Sequence, residues 1–233
     1  IYVYNQFPKN IGYLIFSGTQ VGETHGQGDG GTHISVVDRV GSEQLSLASL
    51  KTGKSLFNPN VSPFSFEFFI NLPTQSNDNQ IIVQKISGSS VSNGMTLAIS
   101  ASSSVDQCSL IFGVTSGSAN LYITSSLKKG TFNHVFAGYD RGGDQKLHII
   151  VDAANEVTSS SALEFDSLLY PGTDLKIGSG SAVRLNNDSN LFEPFQTLSA
   201  SIDEFRYYRS FRKINDIKKY RYKNLDFNRK DTN

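Results

Sequence analysis

Tryptophan is absent from this chain, cysteine and methionine occur once each, and proline only six times in 233 residues. A lone cysteine, Cys108, excludes an internal disulfide, so a core must hold the fold, and a chain of this length can bury one. Free cysteine is usually buried, and Cys108 is expected in a core strand beside Leu110 and Phe112. No apolar run approaches the ~20 residues that cross a bilayer as a helix, so no membrane insertion is expected. The first residue is Ile1 rather than Met and no signal-peptide pattern follows, so the chain is expected to be a portion of a longer protein. Without indole rings, stacking against a sugar falls to Tyr or Phe, of which there are 10 and 16.

What is present is Gly, Ser and short strand-like runs separated by turn residues, with few helix signals. Ile1–Phe16 holds apolar runs suited to an edge strand or an arm, and Gly22–His33 is too rich in glycine to keep regular structure. Ile34–Val40 and Gln44–Leu50 read as first strands. Phe64, Phe66 and Phe68 alternate as inward residues of one strand. Ser87–Asn93, Ser100–Asp106 and Ser116–Ala119 are serine-rich connections, and Gly178–Pro194 is a longer loop. Near the end, Ile202, Phe205 and Tyr207 are placed to enter a core, with Asp203 and Arg206 near its rim. Ile214, Ile217 and Lys218 then recur at helical spacing, predicting a short amphipathic helix that packs back on the sheet. The division expected is residues 1–33 as arm, edge strand and glycine loop, 34–225 as a β-sandwich, and 226–233 as a frayed tail.

Several of these runs, in this order, resemble laminin-G-like domains of the concanavalin A-like lectin/glucanase superfamily. They include Pro63–Ile70, Gln80–Lys85, Gly94–Ser100, Ser109–Val114, Gly130-Thr-Phe-Asn-His-Val-Phe-Ala-Gly-Tyr-Asp140, Lys146-Leu-His-Ile-Ile-Val-Asp152, Leu175-Lys-Ile-Gly178 and the Ile202-Asp-Glu204 triplet. Phe132 stands where that family usually has Trp, and Ala153 where it usually has Gly. The resemblance implies an all-β fold, an antiparallel jelly-roll β-sandwich with a short C-terminal helix. It also implies a job in recognition more often than in catalysis. Relatives of this fold often hold Ca2+ through oxygen ligands, and Asp203 is the first position to carry that role over; the alternative is an Asp203 that only hydrogen-bonds backbone. Asp140, Asp144 and Asp152 flank a hairpin and read as a solvated turn, with a bound ion as the alternative.

Zero net charge hides an asymmetry: residues 1–205 carry 11 basic and 18 acidic side chains, and residues 206–233 carry 10 and 3. Either the basic end packs on its own acidic body, or Lys218, Lys219, Arg221, Lys223, Arg229 and Lys230 reach an acidic neighbour or polyanion. Tyr220 and Tyr222 interleave with them as nucleic-acid binders do, but half of these positions belong to a helix with a face to bury, so nucleic acid is not an expected partner.

A retaining glycosidase needs two carboxyls about 5–5.5 Å apart, on a strand two or four residues apart. Glu164-Phe-Asp166 is the only short echo of the glucanase pattern, with Leu168 where a third acid would stand; the chain is expected not to be an enzyme. His25, Asp29 and His33 offer metal-binding types on a glycine loop that has no rigid support, and His134 and His148 sit in strands without the look of ligands. A sugar site would pair exposed rings with hydrogen-bonding side chains. Tyr122, Tyr170, Phe192 and Phe195, with Asn186, Asn187, Asp188 and Asn190, make the Ser179–Gln196 loop the place to expect one. The reading is a surface recognition or attachment module, carbohydrate-binding, of an extracellular protein or a virion (a phage fibre or capsid surface), its partner a glycan or cell-surface receptor. The alternative is a structural assembly subunit whose terminal arms contact neighbouring subunits.

Overall fold

Alternation decides the centre of the fold. In Phe64-Ser-Phe-Glu-Phe-Phe-Ile70 every second side chain is apolar and large, and a strand sends alternate side chains to opposite faces, so Phe64, Phe66, Phe68 and Ile70 all point inward and are fully buried. The computed structural model describes residues 12–18, 32–37, 57–185 and 191–222. The expected strand Gln44–Leu50 and the tail 226–233 lie outside the described residues.

Among the described residues twelve strands and one helix follow in chain order: β1 (Leu14–Ser17), β2 (Ile34–Val36), β3 (Phe64–Asn71), β4 (Gln80–Ile86), β5 (Asn93–Ile99), β6 (Gln107–Ser116), β7 (Ala119–Lys128), β8 (Phe132–Tyr139), β9 (Leu147–Val151), β10 (Asn155–Thr158), β11 (Leu175–Ile177), β12 (Ser199–Tyr208) and α1 (Ile214–Tyr220). They form two six-stranded antiparallel sheets, β1-β12-β3-β8-β9-β10 and β2-β11-β4-β5-β6-β7. The inner faces pack on one another as a β-sandwich, the expected fold. The core between them joins rings (Phe64, Phe66, Phe68, Phe112, Tyr139, Phe165) with aliphatic side chains (Leu97, Ile99, Leu110, Val114, Ile123). Each fully buried ring or branched chain contributes about 1.5–3 kcal/mol. Cys108 lies in β6 and is buried, as expected, and Leu14–Ser17 is an edge strand paired with β12.

Strict alternation breaks in β4, between Ile81 and Val83 against β5, and again in β12. Asp203 lies opposite Phe69 but Arg206 lies opposite Glu67, so three steps on β12 match two on β3: a β-bulge. Glu204 takes up the extra residue at φ 52°. The bulge lets both Ile202 and Phe205 reach the core, and it corrects one expectation. Arg206 does not sit at the rim; it is buried on the outer face of the first sheet, beside Glu67.

That outer face is covered by the chain's own C-terminal segment. α1 buries Ile217 completely, against Phe136, Ile150 and Ala153, with Phe211 and Ile214 alongside. Ala153 takes φ 55°, a conformation that favours glycine, while its methyl fills part of this cluster. Next to it Glu67, 1% exposed, meets His134 Nε2 at 3.1 Å and Arg206 at 3.6 Å, and accepts a hydrogen bond from Arg212. Arg212 also lies over the Tyr208 ring at 5.0 Å, and Tyr222 stacks on Phe69. Burial alone would raise the Glu67 carboxyl; the His134 hydrogen bond and the charges of Arg212, His134 and Arg206 outweigh it and hold it below the ordinary glutamate range.

Candidate functional site

The outer face of the second sheet is partly roofed by the long loop between β11 and β12. Gly178 starts it at φ 85°, where a Cβ would lie 2.5 Å from the Phe16 ring, so only glycine fits there. Gln84 on β4, 2% exposed, then clasps the loop at Ser181: its Oε1 accepts the Ser181 N–H at 2.7 Å, and its Nε2 donates to the Ser181 carbonyl at 2.9 Å. Farther on, Val183 and Phe192 exchange backbone hydrogen bonds, Arg184 N–H donates to Val91, and Phe195 N–H donates to Asn79. Val183, Leu185 and Phe192 cover Ile81, Ala98 and Ile111 of the sheet. Leu185 lies flat because β6 offers Gly113 beneath it; a Cβ there would stand 2.8 Å from Leu185 Cδ2. Both limbs of the loop are thus pinned to the sheet, and its tip, 186–190, lies outside the described residues.

Where the first limb leaves the sheet, a cavity of about 350 Å³ opens, at the lower end of the volumes that hold small ligands. Its floor is Gln84 and Lys176, which lie opposite one another in the β4–β11 pairing and therefore share the outer face. Asp174 and Thr173 close one end, Ser89 and Ser181 supply hydroxyls, and Ile86, Val91 and Ala182 give an aliphatic wall. Asp174 and Lys176 are half-buried. A carboxylate acceptor and an ammonium donor two residues apart, with hydroxyls and an apolar wall, suit a polyhydroxylated ligand that presents both O–H groups and a C–H face.

The residues expected at the site divide three ways. Asn186, Asn187, Asp188 and Asn190 lie outside the described residues. Phe192 is half-buried as part of the loop's anchor, and Phe195 is exposed. Tyr170 is not exposed as expected: it is 1% exposed, part of the main core, because the strand-like 168–170 segment turns Leu168 and Tyr170 inward. A buried ring cannot stack on a ligand. Tyr122 is exposed on β7, opposite Gly113 and so beside the Leu185 limb. Sequence reasoning missed Asp174, Lys176 and Gln84. The signal was there for Lys176, flanked by the inward pair Leu175 and Ile177, but the β4–β11 pairing that makes it a neighbour of Gln84 is not local.

Asp203 is half-buried; burial pushes its carboxyl up, the Glu204 N–H that its Oδ1 accepts at 2.8 Å works against this, the Glu204 charge adds to the rise, and Arg206 opposes it. Among the described residues no group of three His, Cys, Asp or Glu side chains is gathered for a metal, so the side chains around Asp203 do not by themselves make a calcium cage of six or more oxygens. Glu164 and Asp166 project from a loop, not a strand, on either side of buried Phe165; Glu164 pairs with Arg141 at 3.4 Å and Asp166 is exposed. His134 and His148 have carboxylate partners, Glu67 for one, Asp144 and Glu156 for the other. No helix among the described residues is long and apolar enough to cross a membrane.

The Laminin_G_3 family model, described as concanavalin A-like lectin/glucanases superfamily, matches residues 44–218. The chain belongs to the concanavalin A-like lectin/glucanase superfamily. Solved structures agree on the fold at low identity. The mouse laminin alpha1 chain, domains LG4-5, superposes with a TM-score of 0.50 at 15% identity, over 85% of this chain and 43% of that one. A Ruminococcus gnavus IT-sialidase CBM40 bound to alpha2,3 sialyllactose gives 0.54 at 11%, over 88% and 97%. The binding domain of botulinum neurotoxin DC in complex with SialylT gives 0.53 at 10%, over 90% and 44%. The superfamily domain thus spans less than half the length of the laminin and neurotoxin chains it matches. No curated protein matches it.

Proposed function

We propose that this laminin-G-like sandwich is a non-catalytic carbohydrate-binding module of an extracellular or particle-surface protein, and that the cavity beside the β11–β12 loop takes a sugar unit. The observation that carries this reading is the pairing of half-buried Asp174 and Lys176 with hydroxyls and an aliphatic wall in a cavity of about 350 Å³. Two proteins of similar fold, one bound to alpha2,3 sialyllactose and one in complex with SialylT, lend it support. Gln84 is a positioning residue, holding Ser181 so that the cavity keeps its edge, while Asp174 and Lys176 hydrogen-bond the ligand. Tyr122 and Phe195, both exposed, extend the surface for further units or a receptor.

A glycan array run with Ca2+ and again with EDTA tests it. Binding is expected, and Asp174→Asn and Lys176→Met should each weaken it about 10- to 100-fold, the loss expected for a hydrogen bond to a charged group. Loss on chelation would assign calcium to Asp203, and Asp203→Asn should then mimic EDTA. Silence on both arrays would overturn the reading. An enzyme would be shown by turnover that Glu164→Gln or Asp166→Asn abolishes.

A further inference from the structure

The floor of the cavity beside the β11–β12 loop follows a fixed pattern. Lys176 lies opposite Gln84 and Ile177 opposite Val83, and continuing that register by two residues sets Asp174 level with Ile86 across the strand pair. Alternate residues of an extended chain share a face and stand about 6.5–7 Å apart, so Asp174 and Lys176 present a carboxylate and an ammonium along one side of the floor. The other side is apolar at Ile86, because the side-chain amide of Gln84 is turned to Ser181. Val91 from the β4–β5 connection and Ala182 from the β11–β12 loop extend that apolar side. No aromatic ring is among the described residues that line the cavity.

We infer that the sugar taken here carries an N-acyl substituent, an acetamido group, and that the cavity reads this group rather than the bare ring. The inference rests on the carbohydrate reading above and names the class of its ligand. Three features select the group. An amide presents one N–H donor and one C=O acceptor, which match the Asp174 carboxylate as acceptor and the Lys176 ammonium as donor. It is uncharged, whereas a carboxylate or an amine on the ligand would gain from one of these two and be repelled by the other. Its methyl needs an aliphatic notch, which Ile86, Val91 and Ala182 form; the C–H face of a plain pyranose is best covered by a flat ring, which the described lining lacks.

The geometry of an amide fits this floor. In a planar trans amide the N–H and C=O point opposite ways, across the line that runs from the ring to the methyl. With the N–H toward Asp174 and the C=O toward Lys176, the methyl is directed away from β11 to Ile86, with Val91 and Ala182 around it, and the sugar ring is left at the mouth. A carboxylate offers about four lone-pair sites and an ammonium three protons, so each can serve a ligand while it also holds a neighbour in the protein. Both residues are half-buried, within reach of a ligand yet partly withdrawn from water, where a hydrogen bond is electrostatically stronger.

The methyl resonances of Ile86, Val91 and Ala182 in the full chain report on the cavity during a titration with monosaccharides. N-acetylglucosamine should shift them, and glucose should need about tenfold more sugar for the same saturation, the discrimination an apolar pocket makes for a methyl-sized group. Glucosamine, which has the nitrogen without the acyl group, should bind no better than glucose, and free acetamide should bind more weakly than N-acetylglucosamine. Val91→Thr places a hydroxyl against the methyl at nearly unchanged volume. It should weaken N-acetylglucosamine several-fold and leave the weaker glucose binding as it was, a split that a folding defect would not give. Glucose binding as tightly as N-acetylglucosamine, with both lost in Asp174→Asn, would overturn the inference and leave the carbohydrate reading standing. So would acetamide binding as tightly as the acetamido sugar. Shifts from none of the sugars would overturn it as well, and the glycan array then decides whether the wider reading falls with it.

Discussion

Glu67 is the residue on which the outer face of the first sheet turns. Its carboxylate is buried among His134, Arg206 and Arg212, and breaking such a group by removing one partner leaves the others charged and dry, at a cost of about 3–5 kcal/mol. Glu67→Gln should therefore lower the urea midpoint sharply, and Arg212→Met, which removes a single donor at the edge of the group, should lower it less. The pH dependence follows from the direction of the shift. A carboxyl held below its unfolded value stabilises the fold fully above that value, about 4.3 for a free glutamate, and loses this contribution as pH falls through the folded value. Thermal melts of the wild type should thus fall steeply below that pH, with a shallower acid limb in Glu67→Gln. Cys108 offers an independent check on the core. Burial pushes its thiol up to about 11, with Lys129 pulling slightly the other way, so a thiol-reactive dye should label it very slowly at neutral pH and rapidly once the chain is unfolded in urea.

At the scale of elements, the β11–β12 loop behaves as part of the second sheet because Gln84 and Gly113 make room and hydrogen bonds for it. Gln84→Ala should abolish the Ser181 clasp and weaken glycan binding while leaving the melting temperature within a few degrees. Gly113→Val forces Leu185 upward, and protease cleavage within 179–196 is the readout. Ile217→Ala removes the one fully buried side chain of α1 and should cost about 2–5 kcal/mol, seen as early hydrogen exchange of the helix. Much of this arrangement was legible. Phe64, Phe66 and Phe68 declared a strand through period two, and Ile214 and Ile217 declared a helix that packs back. What hid was what depends on partners far along the chain. A β-bulge placing Arg206 on Glu67 needs knowledge of the β3–β12 register, and the cavity needs Lys176 of β11 beside Gln84 of β4, far apart in the chain. Tyr170 misled because a tyrosine in a turn-rich segment has the same local signature whether its ring faces water or core.

For the whole molecule, the C-terminal segment is structural first. Arg206 and Arg212 spend their charge on Glu67 and Glu204, and the Arg221 guanidinium donates to the Asp152 carbonyl, so part of the basic end does pack on its own body. A chain ending at Tyr208 would lose Arg212, Phe211 and Ile217 together. It is expected to unfold well below the wild-type temperature, each kcal/mol of loss lowering it by about 2–4 °C in a chain of this size; differential scanning calorimetry gives the comparison. Arg206 and Arg212 reach Glu67 from far along the chain. During synthesis that carboxylate therefore waits without its guanidinium partners until residue 212 has emerged, and the first sheet closes its outer face late.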